Sequence, residues 1–397
     1  MKILRIIYDW PPPWSGLAPH PYEITVAQTK LGHKIDVFCG RWPNSGDVQE
    51  PEGAKVHSII REPIPGSLTL TSSILLLFRY ISWRKHNEVD IIHAHGHFGI
   101  WIFLYRIILR KFFPWVKELK TPLVAHFHNT AKGRWVKLKE KNKITNPISE
   151  FFVFPMEVLA NKLAIKAAAA NVFVSEENKK EAIEYYGVEE KMCFVVEPGI
   201  NTELFVAVGE EEKEKSRRDL SLDMYDKVIV SHGFIVKRKN NHLIVEALKY
   251  LPENYTLLLS GPGEEGYIDE IDEIIKKGNL KERVMKTGYT PYNEAPIVYQ
   301  VGDIFVLPSE WEGMPKAVLE SLACGVPTLV SGFKFSEEVP GVYYLENHDP
   351  KHIAERILDI VEKKEYVDFN ILRERYSWEQ RAKELEKVYE FAKKHYL

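Results

Sequence analysis

Short β-branched runs alternate with longer amphipathic stretches along the whole chain, a pattern that predicts parallel α/β sheets. Residues 3–8 are apolar at nearly every position and predict a strand buried on both faces. A Pro/Gly loop follows, then a helix near 22–31 that Gly32 stops. Further strands are expected at 34–38, 55–60, 91–94, 123–127, 171–174 and 193–196, with a helix at 176–186 closed by Gly187. Residues 207–226 break the pattern with a mixed-charge run that predicts a solvated connector or exposed helix. Alternation then resumes, with strands at 227–231, 256–260, 304–307 and 328–330. Helices are expected at 241–250, 266–277, 315–323, 352–363 and 378–395. The pattern predicts two successive doubly wound domains, with ligand at the C-terminal strand ends facing a cleft. The expected boundaries are 1–200, 201–375 and a terminal helix, 376–397, packing back toward the first domain.

Composition narrows the class. With 397 residues, 45% hydrophobic, 27% charged and a net charge of −3, the chain suits two soluble domains, and the charge argues against bulk affinity for nucleic acid or anionic membrane while leaving room for a local basic patch. Cys39, Cys193 and Cys324 lie far apart, which argues against a disulfide framework and a structural zinc. The opening apolar segment ends at Asp9 and three prolines, too short for a signal peptide, and no run is long enough to span a bilayer. A cytoplasmic protein is expected. Residues 101–120 are aromatic and carry Arg106, Arg110, Lys111, Lys117 and Lys120. They read either as a core helix with a basic outer edge or as a peripheral contact with the inner membrane face.

Candidate chemistry concentrates between residues 307 and 327. Leu307-Pro308-Ser309 leads from a buried strand, and Pro315 suits the first position of a helix that Gly325 ends. The mouth of that helix, at Gly313, Met314, Pro315, Lys316 and Ala317, suits phosphate. Glu312 stands just outside it, and Glu320 lies five residues beyond Pro315, roughly 7–8 Å along the axis. Carboxylates beside a diphosphate make sense when they accept hydrogen bonds from hydroxyls, which a nucleotide sugar offers on both sides of its diphosphate.

With Ala323-Cys324-Gly325-Val326-Pro327 completing the segment, the chain resembles glycosyltransferase family 4, retaining enzymes of the GT-B fold. Glu312 and Glu320 match that family's Glu-x7-Glu motif. The resemblance implies that Glu312 contacts the donor sugar near the reacting carbon and Glu320 the ribose hydroxyls. Lys239 matches a lysine that binds the donor diphosphate, but Phe234 stands where an arginine is expected. Arg238 and Lys237 are the candidates to replace it. Gly261 and Gly263 match a turn near the nucleotide base. Phe333-Lys334-Phe335 replaces the glycines usual before Glu337-Glu338. In the first half, Gly16 matches one glycine of a loop near phosphate and acceptor, while Ser15 replaces the other. His128 matches a histidine near the reacting sugar, and Glu197-Pro198-Gly199-Ile200-Asn201 matches the domain junction.

His93, His95 and His97 alternate in a way that suggests a metal. No carboxylate or cysteine near them in sequence completes a ligand set, so structure or acceptor contact is expected instead. Trp14, His20 and His95 are the candidate acceptor-side residues, with Trp10 and Trp42 as further aromatic faces. The resulting expectation is a GT-B protein with two Rossmann-like domains, moving a hexosyl group from a nucleotide-diphosphate sugar to a hydroxyl of a glycan, lipid-linked or small-molecule acceptor. Glu312 and His128 are its catalytic candidates, and it uses no metal and no cofactor. The alternatives are a catalytically weak nucleotide-sugar or glycan-binding protein and a nucleotide-sugar epimerase.

Overall fold

The structure, a computed structural model, describes residues 1–14, 16–42, 45–64, 70–140, 147–335, 337–363, 367 and 369–396. The chain divides into two compact units, residues 1–198 with 378–397 and residues 199–377.

The first unit holds strands β1 (Lys2–Ile7), β2 (Lys34–Arg41), β3 (Ala54–Ile60), β4 (Ile91–His95), β5 (Leu123–Phe127), β6 (Ala170–Phe173) and β7 (Cys193–Val195). They form a parallel sheet in the order β3-β2-β1-β4-β5-β6-β7. β1 is central, and five of its six residues are buried. Ile3 and Ile7 pack on one face with Ile24, Ala27 and Val388, while Leu4 and Ile6 pack on the other with Leu76 and Phe103. Period-2 alternation puts Arg5 on the Ile3 face, where it is fully buried. Its guanidinium donates to Pro21 O at 3.3 Å and to the side chains of Thr25 and Gln28 on the helix Pro19–Lys30. The terminal helix Trp378–His395 packs beside that helix.

The second unit holds β8 (Lys227–His232), β9 (Tyr255–Ser260), β10 (Val284–Gly288), β11 (Ile304–Pro308), β12 (Thr328–Ser331) and β13 (Val342–Tyr344). Their order is β10-β9-β8-β11-β12-β13, again parallel, with an apolar cluster on each face. Strand order therefore reverses between β1 and β4 and between β8 and β11. Connections leaving such neighbours diverge to opposite faces, which opens a crevice beyond their C-terminal ends.

Three sequence expectations change, and the two readings of 207–226 are decided. β10 and β13 were not expected: both are sheet edges, β10 exposes Lys286, Thr287 and Gly288, and β13 is only three residues long and half-buried. Part of 207–226 is a helix, Glu210–Asp219, with acids in its first turn and Arg217 and Arg218 in its last, as the helix dipole favours. Arg217 anchors it to Asp303 at 2.6 Å. Pro315 is the N-cap of Lys316–Ala323 rather than its first residue, because its carbonyl accepts from Val318 N at 3.1 Å. Finally, Arg106 is not on a basic outer edge. It is fully buried, paired with Glu118 and donating to Tyr396 OH at 2.7 Å, so burial of its charge is offset locally.

Candidate functional site

In the second unit the site grows from the crevice between β8 and β11. β11 ends at Pro308, and the loop that follows is pinned where Glu312 N donates to Gly332 O at 2.8 Å. The Glu312 carboxylate accepts from Ser309 Oγ at 3.0 Å and pairs with Arg238 Nη1 at 2.7 Å. Arg238 also donates to Trp311 O at 3.1 Å and lies over the Trp311 ring. Glu320, on the following helix, is buried and accepts from Tyr299 OH at 2.7 Å. Burial raises its pKa, opposed by Lys316, the Tyr299 hydrogen bond and Lys239.

Lys239 closes a turn after β8, just before the helix Asn241–Ala247. Burial lowers its pKa, Glu312 and Glu320 raise it, and Arg238 lowers it further. Two glycines make room here. A Cβ on Gly233, at φ +120°, would stand 2.8 Å from Lys239 Nζ, and one on Gly261, at φ +129°, would stand 2.1 Å from Gly233 O. Gly261 thus lets the β9 turn close against the β8 turn, which its sequence context alone did not reveal.

The structure brings Lys239 within electrostatic reach of both Glu312 and Glu320, with Glu320 buried and Lys239 and Glu312 half-buried. Met314 joins the apolar core, while Lys316 and Ala317 are half-buried at the helix mouth. Gly263 lies against Ile268, where a Cβ would approach to 2.7 Å. Phe234 is 52% exposed, and Lys237 pairs with exposed Glu270 at 3.2 Å, so of the two candidate replacement cations it is Arg238 that touches Glu312. Sequence reading missed a polar chain at the ends of β8 and β9. His232 Nδ1 lies 2.9 Å from Ser260 Oγ, which lies 3.0 Å from Thr290 Oγ1, and burial pulls His232 down to about 4, leaving it neutral.

In the first unit the alternation of β4 and the adjacent β5 stacks His93, His95, His126 and His128 on one sheet face. The His20 ring meets His128 edge-on at 4.5 Å. His95 Nδ1 and His128 Nε2 are 3.1 Å apart. A second line of hydrogen bonds reaches this cluster from β1. Arg5 donates to the Gln28 carbonyl, Gln28 Nε2 donates to Tyr389 OH at 3.0 Å, and Tyr389 OH is hydrogen-bonded to His93 Nδ1 at 2.6 Å. His93 Nε2 in turn lies 3.2 Å from His126 Nδ1. Burial holds His93, His95 and His126 well below the usual histidine range.

Nitrogens of His93, His95 and His126, and of His20, His126 and His128, lie within 4.8 Å of one another. The ligands that the local sequence did not offer thus come from β5 and the first helix. None of these ligands is a carboxylate or thiolate, however, and buried Arg5 has no ion-pair partner among the described residues. A dication here would add to an uncompensated buried charge, which opposes a metal site. His97 lies apart, beside Tyr8. Gly16 takes φ +59°, a conformation that favours glycine, and Trp14 packs edge-on against Tyr22 at 4.7 Å. Ser15 lies outside the described residues. Trp10 is buried, and Trp42 stacks on Arg61 at 3.7 Å.

Two family models match the chain: Glycosyltransferase Family 4 over residues 14–204 and Glycosyl transferases group 1 over residues 212–384. An uncharacterized glycosyltransferase of Methanocaldococcus jannaschii is 24% identical, covering 99% of this chain and 98% of its own. Sucrose-phosphate synthase from Thermosynechococcus elongatus has a similar structure, with a TM-score of 0.76 at 18% identity over 98% of both chains. Anabaena HepE, solved with UDP and glucose, superposes at a TM-score of 0.71 and 16% identity, over 98% of this chain and 99% of its own. With one model on each parallel-sheet unit and the Glu-x7-Glu pair at the switch point of the second, the chain belongs to glycosyltransferase family 4, the nucleotide-sugar glycosyltransferases of the GT-B fold.

Proposed function

We propose that the protein transfers a hexosyl group from a nucleotide-diphosphate sugar to an acceptor hydroxyl, with retention of anomeric configuration and without a metal. The observation that carries this reading is the convergence of Lys239, Glu312 and buried Glu320 beyond β8 and β11. Lys239 and the N-terminal end of Lys316–Ala323 hold the diphosphate and stabilise the charge that develops on it as it leaves. Glu320, oriented by Tyr299, accepts from the ribose hydroxyls, and Glu312 accepts from the donor sugar. Arg238 takes the place of the cation that Phe234 cannot supply, exchanging its Glu312 contact for phosphate. His128, with His95 behind it, serves the reacting sugar on the acceptor side. Incubation with a panel of nucleotide sugars and hydroxyl acceptors tests the reading. Proton NMR should show a product with the donor's anomeric configuration and equimolar nucleoside diphosphate; an inverted product or a requirement for added divalent cation contradicts it.

We also propose peripheral contact with an anionic membrane through residues 101–120. Ile108, Phe112, Phe113 and Trp115 are exposed there, the last at 73%. The contact has less charge than the sequence suggested, because Arg106 is buried and Arg110 donates to Ala167 O at 3.3 Å. No helix among the described residues is long and apolar enough to cross a membrane. Co-sedimentation with phosphatidylglycerol vesicles should fall when Phe113 and Trp115 are both changed to serine, and a protein that ignores such vesicles at low salt rules the contact out.

A further inference from the structure

At the switch point of the first unit's sheet, between β1 and β4, lies a cavity of about 130 Å³. Tyr8 follows β1 and His97 follows β4, so the cavity occupies the crevice where a doubly wound sheet binds its ligand. Its wall is apolar, formed by Ile100, Val153, Met156 and Ala160. The turn that leads into Val153 exposes Phe151 at 76% and Phe152 at 61%, so apolar surface continues outward along the chain.

The charges around this wall are unequally balanced. Glu157 is neutralised by Arg134, and Arg61, stacked on the Tyr8 ring, is paired with Asp9 at 2.9 Å. Glu62 lines the cavity, accepts from Tyr8 OH at 3.3 Å and has no cationic partner among the described residues. Burial raises the Tyr8 pKa, so this phenol stays a neutral donor. Glu62 also takes φ +45°, a left-handed backbone conformation that costs a non-glycine residue about 1–2 kcal/mol. Strain of this kind persists where the surrounding structure imposes it, and it gathers at ligand sites. An unmatched carboxylate on an apolar wall needs hydrogen-bond donors and no second negative charge.

We propose that this cavity is the acceptor site, and that it takes a neutral, phosphate-free glycoside whose hydroxyls donate to Glu62 while its hydrocarbon portion lies on Ile100, Val153 and Met156. Calling the occupant an acceptor rests on the transferase reading above; its binding does not. Bound phosphate would face Glu62 with every neighbouring cation already paired.

The test is isothermal titration of the full chain with n-octyl β-D-glucopyranoside below its micellar concentration, and separately with glucose 6-phosphate. The alkyl glycoside should bind the unaltered protein. Glu62→Gln should weaken that binding about tenfold, the loss of one hydrogen bond to a charged group. Ala160→Leu, which fills the cavity, should abolish it, and circular dichroism shows whether that variant folds. Glucose 6-phosphate should bind only Glu62→Lys. Absence of alkyl-glycoside binding, binding unchanged in Glu62→Gln and folded Ala160→Leu, or glucose 6-phosphate binding the unaltered protein as tightly as the glycoside each overturns the proposal. Cavity binding without transfer from any nucleotide sugar would overturn the transferase reading alone. Transfer that persists undiminished with the cavity filled would overturn the acceptor assignment alone.

Discussion

Glu312→Gln should lower the rate of sugar transfer by about two to three orders of magnitude, with donor affinity held within about threefold. Glutamine keeps the shape of glutamate and its contact with Ser309 Oγ, which lies 3.0 Å away. On the proposed reading, what it removes is a negative charge beside a sugar carbon that becomes positive as the nucleoside diphosphate departs. An environment fixed before reaction makes such a charge count more than it does in water. The loss is not a folding effect. Arg238 and Glu312 retain 29% and 10% side-chain exposure, and a pair still partly in solvent contributes at most about 1 kcal/mol. Initial rates with saturating donor and acceptor, alongside thermal denaturation, separate the two. A rate within threefold of the unaltered protein removes Glu312 from the chemistry.

Lys239→Met should weaken donor binding about 10- to 100-fold, as expected for loss of a charge-assisted hydrogen bond worth about 1.5–3 kcal/mol. Its effect on stability should be neutral or favourable, because burial lowers the pKa of Lys239 and so disfavours its charged form in the folded protein. The same depression sets the pH dependence. A lysine whose pKa lies below the ordinary value loses its charge earlier as pH rises, so donor affinity should decline on the alkaline side before an ordinary lysine would titrate. That decline should be absent in the methionine variant. Equilibrium titration of both proteins from neutral to alkaline pH reads affinity and slope together, and matching curves would show that Lys239 does not meet the diphosphate.

The features legible in the sequence are those encoded by local pattern. Buried parallel strands such as Ile304–Pro308 are continuous apolar runs, and the end of Glu176–Tyr186 is marked by a glycine at φ +65°. Glu312 and Glu320 were legible because their spacing and the turn between them fall within one loop-helix segment. Features built by tertiary contact were not. β13 is only three residues long, all half-buried, within the short apolar run Val342-Tyr343-Tyr344-Leu345. Sequence named both Arg238 and Lys237 as replacement cations and could not choose between them; folding sets Arg238 2.7 Å from Glu312, while Lys237 turns to Glu270. His126 drew no attention in the sequence, because its place beside His93 and His95 depends on which strands are neighbours. Arg5 sits in a run that reads as apolar, and its partners come from a helix many residues away. Glu62 had no signal at all: positive φ at a glutamate is not written in residue type.

The most direct test of the donor site is calorimetric titration with UDP-, GDP- and ADP-sugars, comparing the unaltered protein with Lys239→Met. At least one nucleotide sugar should bind the unaltered protein, and the same ligand should bind Lys239→Met at least about tenfold more weakly. A nucleotide sugar that binds both proteins equally, or a folded unaltered protein that binds none of them, would contradict a donor site built on Lys239, Glu312 and Glu320.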